Sequence, residues 1–156
     1  MQEAKRTKKL IGVIEYEILN PNLLKKYIDD VLKICKEKGI KLEIKWIDET
    51  HPDFNSDLLS RLDVNLTKKD ILRLNLRPEC PKITWFHEKK HLEDFFEMGH
   101  KKYKEIHLKT PWKHEESVWE FIYKNRNKWN EPELIDAYLY YKNYIWEKSN
   151  FKLSLF

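Results

Sequence analysis

At 156 residues the chain fits one domain large enough to bury a real core. Its apolar share of 41% and its 13% of aromatics exclude a disordered chain, and only three glycines argue against a phosphate-cradling glycine loop. The formal net charge of +4 is spread over many residues of both signs, the pattern of a solvated surface rather than of a dedicated nucleic-acid or membrane patch.

Residues 1–10 are polar and basic and read as an arm or linker before a single domain over 11–156. "LIGVIEYEIL" alternates as a strand does. A basic start followed by apolar residues suggests a secretory signal, but Glu15 and Glu17 break the run. Asn20 is placed to cap a helix with Pro21 at its first position, and Gly39 to stop it. Within it Leu24, Tyr27, Ile28, Val31 and either Ile34 or Cys35 recur at helical spacing.

"IKLEIKWID" is a second strand, with Ile40, Leu42, Ile44 and Trp46 on one face. "ETHPDFNSD" reads as a loop and "LLSRLDVNL" as a short helix or turn. "KKDILRLNLRP" is a third strand, closed by Pro78 and Pro81. The spacing then predicts a helix from Ile83 to Met98, with Thr84 as N-cap and Gly99 just past its end. "HKKYKEIHLKTP" is expected to be a connector. Helices follow over 114–125 and 131–147, and the tail "NFKLSLF" is either disordered or docks an apolar end. The order β-α-β-β and then helices predicts an α+β fold with one small sheet. No run is long enough to span a bilayer. Cys35 and Cys80 lie far apart, without metal-binding spacing, and suit free thiols or one disulfide.

The predicted helix from Ile83 carries His-Glu-x-x-His. Residues four apart share a helix face, so His87 and His91 can present two imidazoles to one metal ion. Zinc suits such nitrogens and leaves a position open for water; Glu88 then reaches that water as general base. The alternative is a solvated helix face, to which the charged Lys89 and Lys90 would belong.

A third ligand is needed. Glu97 stands where one zinc-peptidase class carries a further His, and Asp94 where it carries Gly, so that class is excluded. "HEESVWEFIYK" offers Glu115 and Glu116. Val118 and Ile122 follow Glu115 by three and seven residues, which puts Glu115 on the buried side and Glu116 on a polar flank with Glu120. Glu116, His100, His107 and His114 stay open as ligands, the histidines reading more simply as surface or loop residues. Tyr103, Tyr123 and His107 are candidates to stabilise an oxyanion. A free edge of the "DILRLNLRP" strand would hold an extended peptide by backbone pairing; an interior or edge strand that merely completes the sheet is the more common case.

Together these stretches resemble the zincin-like metallopeptidase domains found at the C-termini of bacterial polymorphic toxins. The likeness spans about residues 71–144: "ILRLNLRPEC", "WFHEKKHLEDFFEMG", "HKKYKEI", "HEESVWEFI" and "WNEPELIDAYLYY" in order. His114 departs from the Arg that the pattern carries before its Glu. The resemblance implies a small zincin-like domain with a short sheet packed on the HExxH helix. It implies a zinc peptidase with His87, His91 and Glu115 as ligands and Glu88 as base. It further implies an effector or toxin that acts on a protein or peptide substrate, is secreted or delivered into a target cell within a larger exported protein, and is countered by a cognate immunity protein.

Two other readings compete. The Tyr- and Trp-rich last helix, with nearby Lys and Arg, could serve a non-enzymatic module for nucleic acid or a partner protein. Yet Leu134, Ala137, Tyr138, Tyr141 and Ile145 fall at helical spacing and favour a core face. The second is a zincin-shaped protein whose metal is structural or absent.

Overall fold

The computed structural model describes residues 7–11, 14–56 and 58–154. They form an α+β fold with two small sheets and four α-helices among the described residues. By its internal packing the chain divides into two compact units, Met1–Lys89 and Lys90–Phe156.

The first unit opens with strands β1 (Thr7–Ile11) and β2 (Ile14–Ile18), paired antiparallel from Thr7 opposite Ile18 to Ile11 opposite Ile14. One strand was expected here, and residues 7–10 were read as arm. The overlooked signal is Gly12, in a two-residue gap between two β-prone runs, the composition of a tight hairpin. Residues 1–6 lie outside the described part.

Helix α1 (Pro21–Glu37) starts where the Asn20 side chain accepts from the Asn22 N–H, and Gly39, at φ 71°, follows its end. It buries Leu24, Ile28, Val31 and Cys35, while Ile34 is exposed. Both cysteines are free thiols.

Strands β3 (Lys41–Trp46), β4 (Ser60–Val64) and β5 (Ile71–Leu76) make a sheet in the order β3-β5-β4. β5 runs parallel to β3 and antiparallel to β4. Two expectations fall. "LLSRLDVNL" contributes a strand, because Leu62 and Val64 pair with Leu74 and Leu72 instead of coiling locally. β5 has no free edge, because both its sides are hydrogen-bonded; β4 is the outer strand on that side. Leu72, Leu74 and Leu76 are wholly buried, the mark of a central strand.

Helical residues continue over α2 (Lys82–Lys109), interrupted at Gly99 by φ 82°, ψ 164°. The helix begins two residues before Thr84, which is therefore inside it rather than its cap; Trp85 N–H bonds back to the Pro81 carbonyl. The expected connector after Gly99 is helical, since no Gly or Pro intervenes before Pro111.

In the second unit α3 (Trp112–Lys124) packs on α4 (Glu131–Ser154). Val118 and Ile122 are buried there, and Trp129 donates its indole N–H to the Ile122 carbonyl. Asn130 and Glu133 cap α4 reciprocally: the Asn130 side chain accepts from Glu133 N–H, and the Glu133 carboxylate from Asn130 N–H. The helix runs past the expected end at residue 147 into the supposed tail. No described helix is long and apolar enough to cross a membrane.

Candidate metal centre

His87 and His91 sit one turn apart on α2, and Glu115 is in the first turn of α3. Each offers a ligand atom, and these atoms all lie within 4.8 Å of one another. His91 Nε2 is 3.2 Å from Glu115 Oε1. Two atoms each about 2.0–2.1 Å from a tetrahedral ion stand about 3.3 Å apart, so this pair already has the spacing of shared ligands. The side chains are largely withdrawn from water, with exposures of 21% for His87, 8% for His91 and 13% for Glu115. That is no solvated helix face.

Glu88 is also buried, at 4% exposure. The Ser60 hydroxyl donates to its Oε1 at 2.9 Å, and His87 Nε2 is 4.0 Å from the same oxygen. Its other oxygen, Oε2, is buried without a hydrogen-bond partner. Leaving a buried carboxylate oxygen unmatched costs roughly 1–3 kcal/mol, which a bound water, ligand or ion would offset. The donor set of two imidazoles and one carboxylate could hold a metal ion.

Neighbouring bonds fix the ligands' backbone. Asp94, three residues after His91, accepts from Ser117 Oγ at 2.7 Å and pairs with Lys90 Nζ at 3.0 Å. Because Ser117 follows Glu115 by two residues, the bond ties the ligand-bearing turns of α2 and α3 together. Lys90 is thus spent on Asp94 rather than on solvent.

The remaining candidates separate cleanly. Glu116 is exposed, and so is His107. His100 packs against Phe95. His114 corrects the expectation of a surface or loop histidine: it is buried on α3, stacked on Tyr103 at 3.8 Å. Its Nε2 meets the Tyr103 carbonyl at 3.0 Å, and since a carbonyl only accepts, that nitrogen carries the proton. Burial pushes the imidazole's pKa down and favours the neutral ring. Tyr103 is buried and Tyr123 exposed, while Tyr144, absent from the sequence-based candidates, has its phenol pushed up by burial and by the Glu115 carboxylate. Only its place in a Tyr-rich helix signalled it.

Comparison with protein-family models, curated proteins and solved structures finds no match to this chain.

Proposed function

We propose that the chain is a zinc-dependent peptidase of the HExxH type, with His87, His91 and Glu115 as ligands and Glu88 as general base. The observation that carries the reading is the convergence of three ligand atoms within 4.8 Å, with the buried Glu88 carboxylate 4.0 Å from His87 Nε2. Zinc held there would bring the pKa of a water toward about 7 and polarise a peptide carbonyl. Glu88 would take the proton from the attacking water and return it to the departing amine. The outer strand β4 carries Ser60 to Glu88, so an extended substrate paired along β4 would lie beside the base. The resemblance to zincin-like toxin domains supports the same chemistry and suggests delivery inside a larger exported protein, with an immunity protein as natural antagonist.

The test is cleavage of a proteome-derived peptide mixture by zinc-loaded protein, read as new N-termini by mass spectrometry. Glu88→Gln is expected to keep its zinc and to cleave about 10²–10⁴-fold more slowly. Cleavage at the unmutated rate would remove Glu88 from the chemistry.

A second reading, a binding module, is favoured by exposed Ile135, Tyr138, Leu139 and Tyr140 on α4 and by the Arg126 guanidinium over the Tyr123 ring at 4.6 Å. It predicts salt-sensitive affinity for single-stranded nucleic acid that survives loss of Glu88.

A further inference from the structure

We infer that Ser60 is a positioning residue for Glu88: its hydroxyl engages Oε1, the oxygen 4.0 Å from His87 Nε2, and so fixes the carboxylate plane beside that ring. The inference rests on the reading of Glu88 as general base and adds a residue 28 positions away in sequence. A glutamate's last torsion is soft, and the two carboxylate oxygens interchange by a half turn. A single donor breaks that equivalence. Here the donor sits on a fixed backbone, because Ser60 pairs with Leu76 at the end of the β4–β5 ladder, beside a wholly buried stretch of β5.

The hydroxyl has no other assigned bond, and the carboxylate no other protein donor within hydrogen-bond distance among the described residues. An alanine would leave the carboxylate ionisable but free to swing. A threonine would restore the donor on the same backbone.

Three variants decide it: Ser60→Ala, Ser60→Thr and Glu88→Gln, each zinc-loaded and assayed on one peptide found cleaved in the mixture. Ser60→Ala is expected to keep one zinc per chain and a KM within about twofold, while kcat falls about 10–100-fold, the cost of a misaligned base. Ser60→Thr should recover most of kcat. Independently of turnover, the infrared carboxylate stretch of Glu88, identified by its loss in Glu88→Gln, should shift in Ser60→Ala and return in Ser60→Thr. An unchanged band, or an unchanged kcat in Ser60→Ala while Glu88→Gln is inactive, overturns the role of Ser60 and leaves the peptidase reading standing. Full activity in Glu88→Gln overturns that reading and this inference together.

Discussion

Two of the buried polar constellations among the described residues are built on opposite principles. Around His51 every polar atom with an assigned role is matched by the chain itself. His51 Nδ1 accepts from the Asp53 N–H, and its Nε2 meets Asn75 Oδ1 at 3.0 Å. Asn75, 1% exposed, gives its amide protons to the Arg61 carbonyl and to Asp63. Because Asn75 Oδ1 can only accept, His51 must carry its proton on Nε2, and one neutral tautomer satisfies the whole set. Arg77 completes the closure by donating to the carbonyls of Leu58 and Ser56, which lead into β4. Around Glu88, by contrast, Oε1 is matched by Ser60 and Oε2 is buried without a hydrogen-bond partner among the described residues. A closed network holds a loop to a sheet; the open one is where the proposed metal chemistry would be centred.

The largest effect expected from this contrast is on Asn75. Asn75→Leu strands the buried His51 donor and removes the side-chain bonds to the Arg61 carbonyl and Asp63. It should lower the unfolding free energy by about 3 kcal/mol in denaturant titration. A loss below about 1 kcal/mol would mean that the closed network is dispensable. Smaller and opposite in sign is the stability effect of Glu88→Gln in metal-stripped protein. Replacing a partly unmatched buried charge by a neutral amide should raise stability by about 1 kcal/mol. A comparable loss would place Glu88 among structural groups.

The smallest effect concerns Cys80. Burial first, and then the Glu88 carboxylate, push its thiol up to about 12 from 9.0. A raised folded pKa means that the stabilising contribution is intact below pH 9 and is lost as pH rises through the window from 9 to about 12. Alkylation at pH 8 should therefore spare Cys80 in folded protein. In Glu88→Gln the thiol should titrate somewhat lower, since one of the charges raising it is gone. An identical titration in both proteins would argue that Glu88 carries no charge near that thiol.

What could be read in the sequence follows the range of the interactions. His87, His91 and the phase of Glu115 against Val118 and Ile122 are matters of one or two helical turns, and the 3.6-residue period exposes them. The Asn20 cap of α1 is equally local. His51 with Asn75, 24 residues away, and Ser60 with Glu88, 28 away, are pairings that only the folded sheet creates. Strand β4 was missed for the same reason: its register is set by β5 and not by its own weak alternation. His114 reads as a surface or loop histidine in the sequence because its burial comes from Tyr103, 11 residues away, which only the fold brings onto its ring.

The most direct test of the metal centre is the metal content of purified protein, measured by elemental analysis beside a His87→Ala, His91→Ala double variant that remains folded. One zinc per chain in the unmutated protein, absent from the double variant, is the predicted result. Zinc retained by the double variant, or no bound metal in the unmutated chain after zinc loading, would contradict it.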